Sequence, residues 1–250
     1  MCVAALAWHA HPRWRLVAIG NRDELHARPA APLARWADDS GIVAGRDLVG
    51  GGTWLGIAAA GRFALITNRR GCGDPDPSRR SRGELVSALL TGDESPAALD
   101  TYNAFNLLAA HDDTLEYLTN RPDRLRTWLG HGIYGLSNGA LDEPWAKTLA
   151  LKQAVTDWLA NGDDDTDPLF ATLRSEAQPA LGIAPSEMSE QSYEPRDTPP
   201  FIRGPIYGTR CSTVVTVAAN GAGKIVERRF SASGEDIGQT RIDFVWPVPD

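Results

Sequence analysis

Val3–Glu24 reads VAALAWHAHPRWRLVAIGNRDE. Two apolar runs, Val3–Trp8 and Trp14–Ile19, flank the turn-like HAHPR, which is the pattern of two short strands. Paired as an antiparallel hairpin, they bring the end of the second run beside the start of the first. The end carries Asn21, Arg22, Asp23 and Glu24, with Gly20 between them and the apolar run; the start carries Cys2. A solvated loop has no need of an arginine set between an amide and two acids, so this polar cluster is expected to face Cys2. A structural arginine–carboxylate pair capping a loop fits the same pattern.

Outward from this hairpin the strand pattern continues. Ile42–Gly45, Trp54–Ala60 and Arg62–Thr67 are short apolar runs punctuated by Gly50–Gly52 and Gly61. The period then changes. Ser81 and Glu84 form an S-x-x-E capping box that predicts a helix start, and Ser95-Pro96 predicts a second. Asn106–Ala110, Thr114–Thr119 and Gly132–Leu136 read as strands. Pro144–Asn161 reads as a long helix, with Trp145, Leu149, Lys152, Val155, Trp158 and Leu159 near one face. Asp167-Pro168 opens a short helix after the acidic loop GDDDTD. Residues 175–205 are rich in Ser, Glu and Pro and read as a long excursion. Thr209–Ala219 and Lys224–Ser231 flank the hairpin signal NGAG, and Arg241–Trp246 closes the series. Strands, then helices, then strands predict an α+β fold with largely antiparallel sheet.

The chain has 250 residues, enough for one large domain or two small ones. The net charge of -7 argues against a nucleic-acid surface. No apolar run approaches the roughly 18 residues that span a bilayer, and Met1–Trp8 lacks the basic leader of a secretory signal. Cys2, Cys72 and Cys211 show no C-x-x-C spacing, so a reducing, cytoplasmic setting is expected.

Several motifs invite a chemical reading and fail it. Gly135–Gly139 (GLSNG) matches a nucleophile elbow, but no histidine follows Ser137, as that fold requires, and Pro144 suits the following helix poorly. NGAGKI lacks the first glycine and the hydroxyl residue of a phosphate-binding loop. His9 and His11 lack a third metal ligand. Gly50–Gly52 has no helix directly after it to bind phosphate, so tight backbone geometry is the default.

Cys2 is different. Buried cysteines are usually small core hydrophobes. Removal of Met1, however, would leave a thiol and a free α-amine on one residue. An α-amine has a pKa of roughly 7.7–8.0 and can accept the thiol proton near neutral pH. Arg22 would favour the thiolate, Asp23 would hold the ammonium, and Glu24 would partner Arg22 or point to solvent.

MCVAALAW, GNRDE, GRDLVGGGTWLGI, ALITNRR, SRGELV, YNAFNLL, IYGLSNG, PWAK and YGTRCSTVV occur in one order from Met1 to about Val215. This order resembles the NRDE family, also called the Transport and Golgi organisation protein 2 family, which is similar to N-terminal nucleophile (Ntn) cysteine hydrolases. The resemblance implies a single Ntn-hydrolase-like domain over 1–250, with the excursion at about 175–205. Its fold would be a four-layer αββα sandwich of two antiparallel sheets flanked by helices. Carried over by position, Cys2 resembles the nucleophile and Arg22 the arginine of the second strand. The acid of that strand is Asp23 or Glu24. Asn68 and Asn138 resemble the two asparagines near the oxyanion, and Arg210 the late arginine.

The implied activity is hydrolysis of a non-peptide amide through a thioester on Cys2. Asn138 and a backbone N–H near Asn68 would stabilise the tetrahedral intermediate. No cofactor and no metal are implied. The alternative is a non-catalytic binding or carrier protein for a hydrophobic ligand such as haem or lipid, since the family is linked to Golgi organisation and to haem and lipid handling. The expected partner is thus a small-molecule amide or a hydrophobic ligand, with no nucleic acid and no membrane span; the oligomeric state stays open. Trp8, Trp54, Phe63 and Trp145 are candidate walls of an apolar pocket, or core.

Overall fold

A computed structural model describes residues 2–38, 40–73, 75–93, 98–162, 164–177 and 198–248. The opening runs form β1 (Cys2–His11) and β2 (Trp14–Leu25), antiparallel, with Cys2 opposite Arg22. Then come β3 (Ala30–Arg35), β4 (Ile42–Asp47), β5 (Leu55–Ala58), β6 (Arg62–Asn68), α1 (Arg82–Thr91), β7 (Phe105–His111), β8 (Thr114–Thr119), β9 (Leu125–Leu129) and β10 (Gly132–Leu136). The chain continues through α2 (Ala146–Asn161), α3 (Asp167–Leu173), β11 (Tyr207–Ala218), β12 (Ala222–Phe230) and β13 (Asp236–Val245). The helix expected at Ser95-Pro96 and most of the 175–205 excursion lie outside the described residues.

The strands form two antiparallel sheets, ordered β10-β1-β2-β11-β12-β13 and β3-β4-β5-β6-β7-β8-β9. Alternation assigns their faces. Leu6, Leu16, Ala18 and Val215 of the first sheet meet Val43, Leu55, Phe63 and Leu108 of the second in the core between the sheets. Val3, Val17 and Ile19 face the other way, onto Leu151, Val155 and Trp158 of α2 and Leu169 of α3. Ala64, Ile66 and Leu107 of the second sheet carry Leu85, Val86 and Leu89 of α1. The molecule is therefore a four-layer αββα sandwich. Both faces of the central strands are covered, which is why they read as continuous apolar runs instead of alternating ones.

Three local expectations are corrected and one open alternative is decided. The second strand does not end at Ile19: β2 runs through Asn21–Glu24 to Leu25 because β11 pairs with it that far, Tyr207 lying opposite Leu25. The helix start at Ser81 holds, but no capping box forms. Ser81 makes no side-chain cap, and Arg80 takes the Glu84 carboxylate at 2.8 Å. The buried face of α2 is turned from the expected one, onto Lys147, Thr148, Leu151, Val155, Trp158 and Leu159. Of the four aromatic candidates, each read as pocket wall or core, Trp54 lines the pocket described below and Trp8, Phe63 and Trp145 are core. β3 and β9 escape a reading by pattern because both are edge strands with little burial, and β3 carries Pro32. Among the described residues no helix is long and apolar enough to cross a membrane.

Candidate functional site

The start of β1, the ends of β2, β4 and β6, the start of β11 and the N-terminus of α1 converge on one pocket of about 730 Å³. Cys2 lines it and is half-buried. In the first sheet Cys2, Arg22 and Cys211 occupy one row of paired residues, so their side chains share the face turned toward the second sheet. Burial pushes the Cys2 thiol above its ordinary pKa. The chain's terminal ammonium pulls it down, the Asp23 charge adds to the rise, and the Asp23 backbone N–H and Arg22 oppose it.

Arg22 is only 9% exposed. Its Nη2 lies 3.3 Å from Asp47 Oδ2 and 3.8 Å from Glu24 Oε2. Asp47, not Glu24, is thus its nearer acid. Asp47 also accepts Arg28 Nε at 2.7 Å and the amides of Val49 and Gly50 at 2.9 Å each. Burial works against the Asp47 charge, but Arg28 and these amides outweigh it and hold the carboxyl below its usual range. The glycine run after it is tight backbone, as expected. A Cβ on Gly52 would lie 2.3 Å from the Gly83 carbonyl, so residues 50–52 dock directly on the start of α1.

Asp23 points to the opposite face of the sheet, toward the helices. Its Oδ1 accepts Thr209 Oγ1 at 2.6 Å. Burial raises its pKa against the pull of the terminal ammonium, Lys147, Thr209 and Arg22. Lys147, the second residue of α2, is 0% exposed, and its Nζ donates to Thr198 Oγ1 at 3.1 Å. Burial lowers its pKa to about 8, against the attraction of Asp23 and Cys2.

Asn68 ends β6 and lines the pocket. Asn138 is fully buried, and its Nδ2 donates to the Asn68 carbonyl at 2.7 Å. One of its two amide hydrogens is therefore committed to the protein. The backbone donors expected near Asn68 are committed too: Arg69 N–H goes to Ala104 O at 3.0 Å and Arg70 N–H to Asn138 O at 2.9 Å. Arg210 sits at an irregularity of β11 between Thr209 and Cys211. It lines the pocket, and its Nη1 donates to the carbonyls of Leu25, His26 and Arg28 at 2.8, 3.1 and 3.1 Å, tying down the chain after β2.

Ser137 has a different task from the one its motif suggests. Its hydroxyl donates to the carbonyl of Cys2 at 3.0 Å. Its own carbonyl accepts Thr67 Oγ1 at 2.6 Å, and Asn106 Nδ2 reaches Gly139 O at 2.8 Å. The loop after β10 is thereby tied to the second sheet and to Cys2 at once. Among the described residues no group of three or more His, Cys, Asp or Glu could hold a metal. His9 instead pairs with Asp113 at 2.9 Å and stacks on His131.

The family model for Transport and Golgi organisation 2 matches residues 1–232. The Transport and Golgi organization protein 2 homolog of Bos taurus is 34% identical over 264 residues, covering 93% of this chain and 94% of its own. The chain belongs to the Transport and Golgi organisation 2 family. The Mus musculus homolog is 30% identical, covering 91% of this chain and 92% of its own. The Drosophila melanogaster Transport and Golgi organization protein 2 is 29% identical over 69% of this chain and 70% of its own. Among solved structures, a Caenorhabditis elegans N-acylethanolamine-hydrolyzing acid amidase ortholog covers 85% of this chain and 92% of its own at a TM-score of 0.44 and 10% identity, too distant to transfer any residue's role.

In this Transport and Golgi organisation 2 chain, three residues of the site escape a reading of the sequence alone. Asp47 lies in GRDLVGGG, where the glycines draw the eye. Ser137 is masked by the elbow motif. Lys147 did leave a signal: with Leu151, Val155 and Trp158 it falls on one helical stripe, so a lysine on a buried face was readable there.

Proposed function

We propose that this chain is an Ntn-type cysteine hydrolase of a non-peptide amide bond, with Cys2 as the nucleophile once Met1 is removed. The observation that carries the reading is Cys2 at the head of β1, opposite Arg22 and open to the pocket. The family's similarity to Ntn cysteine hydrolases and the αββα layering support it. The α-amine of Cys2 takes the thiol proton as sulfur attacks the amide carbonyl. The side chain of Asn68, which lines the pocket, donates to the oxyanion, and Asn138, buried behind it, positions Asn68 through its carbonyl. The tetrahedral intermediate collapses as the α-ammonium returns its proton to the departing amine. Water, deprotonated by the same amine, then cleaves the thioester to the acid and restores Cys2. Asp23 holds the ammonium between these steps. Arg22 stabilises the thiolate, and Arg210 keeps the chain after β2 in place.

The test is a screen of acylated amines and lactams for amine release, beside intact-mass measurement. Loss of one methionine mass and complete loss of turnover in a folded Cys2→Ala variant are expected. Hydrolysis at full rate in that variant rules the nucleophile out.

A second reading is a binding or carrier protein for a hydrophobic ligand in the same pocket. The raised Cys2 thiol favours it, because a buried thiol without a free α-amine is a poor nucleophile. Retention of Met1 together with a Cys2 inert to iodoacetamide at neutral pH supports that reading.

A further inference from the structure

The described pocket wall carries eight arginines against five carboxylates, in a chain of net charge -7. Most of these guanidiniums have acids. Arg28 has Asp47 at 2.7 Å, Arg80 has Glu84 at 2.8 Å, Arg229 has Glu227 at 3.4 Å and Arg46 has Asp38 at 3.5 Å. Around Cys2 the balance fails. Asp47 is shared between Arg28 and Arg22, and so, more loosely, is Glu24, at 3.9 and 3.8 Å. Nη1 of Arg22 is buried and has no hydrogen-bond partner among the described residues. Among the described residues Arg82 bonds a carbonyl, Ala104 O at 3.0 Å, and no acid, and Arg210 likewise bonds carbonyls. Burial lowers the pKa of Arg82, while attraction to Cys2 and Glu24 works the other way, so this cation lies in the field of the thiol. Guanidiniums that share their acids, or hold only a carbonyl, are left with charge to satisfy, and a planar carboxylate is the partner their geometry fits best.

We propose that the pocket takes an acid: a ligand carboxylate seated between the guanidiniums of Arg22 and Arg82, with the apolar part of the molecule along Trp54, Ile66 and Val49. This deepens the hydrolase reading and rests on it only for the amide that would lie over Cys2; the anion seat stands without it. The pocket is accordingly selective for a charged end group, which a greasy cavity is not.

The experiment uses the Cys2→Ala protein, so that nothing is consumed, and calorimetric titration with N-octanoylglycine and with N-octanoylglycinamide. The two probes differ only in carboxylate against carboxamide. The acid is expected to bind at least about tenfold more tightly, as one charge-assisted contact allows, and the preference should shrink as salt is raised. Arg22→Gln and Arg82→Gln should each bring the two probes close to parity. Arg82→Gln carries the test if Arg22→Gln does not fold. Equal affinity of the two probes, binding of neither, or an undiminished preference in Arg82→Gln overturns the proposal. Absence of amine release by the wild-type chain, with the acid preference intact in Cys2→Ala, removes the hydrolase reading and leaves the anion seat standing.

Discussion

At the level of single residues, the site is held by hydrogen bonds to groups that carry no motif. Ser137 fixes the carbonyl of Cys2. Its hydroxyl is nearly buried, so Ser137→Ala should cost about 1 kcal/mol and slow alkylation of Cys2 by iodoacetamide, read by peptide mass mapping. Asp47 serves two guanidiniums and two loop amides. Asp47→Ala leaves all four without this acceptor and should lower stability by about 3 kcal/mol in urea unfolding. Asp47→Asn keeps an oxygen for the amides and loses the charge, so it should fall between the two. Asn138 and Arg210 were singled out only by resemblance, and the geometry spends part of their donors on the protein's own carbonyls. Sequence spacing cannot show which donor is already taken.

At the level of elements, the glycine run over the pocket separates two physical demands. Gly51 has φ +75° with open space around its would-be Cβ, whereas a Cβ on Gly52 would meet the Gly83 carbonyl at 2.3 Å. Gly51→Ala is therefore a matter of backbone strain and should cost about 1 kcal/mol. Gly52→Ala must push the loop off α1 and should cost about 2–3 kcal/mol. Thermal unfolding of the pair checks the order; equal costs would mean that the approach to α1 matters little. Strand pairing of β1 with β2 was readable because both runs are apolar and joined by a short turn. The extension of β2 to Leu25 was not, since its partner β11 lies more than 180 residues along the chain at Tyr207.

At the level of the whole molecule, Lys147 is a charge enclosed between α2 and the first sheet, and its titration is linked to global stability. Its folded pKa of about 8 lies below the ordinary 10.5. Between those values the unfolded chain holds the proton that the folded chain has released, so the lysine's contribution to stability rises with pH across that window. Below about pH 8 the buried charge is a full penalty, of order 3 kcal/mol. The unfolding free energy of the wild type should accordingly rise relative to that of Lys147→Met as pH goes from 8 to 10.5. A pH-independent difference would show that Lys147 titrates normally. The four layers themselves were foreseen through resemblance; pattern alone reached only an α+β class, because apolar runs covered on both faces do not say what covers each face.

By itself the sequence determined the hairpin that sets Cys2 opposite Arg22, the helix starts at Ser81 and Asp167, and the glycine run as tight backbone. The hairpin and the helix starts depend on neighbours along the chain or on one short turn; the glycine run was a default reading whose cause, the approach of Gly52 to Gly83, is tertiary. Only the tertiary structure decided that Asp47 and not Glu24 is the nearer acid of Arg22, that Ser137 grips Cys2, that Lys147 is sealed beside Asp23, and that Arg82 is left with a carbonyl. Those are contacts between strands and helices tens of residues apart, where burial and the supply of partners, rather than local periodicity, settle which polar group meets which.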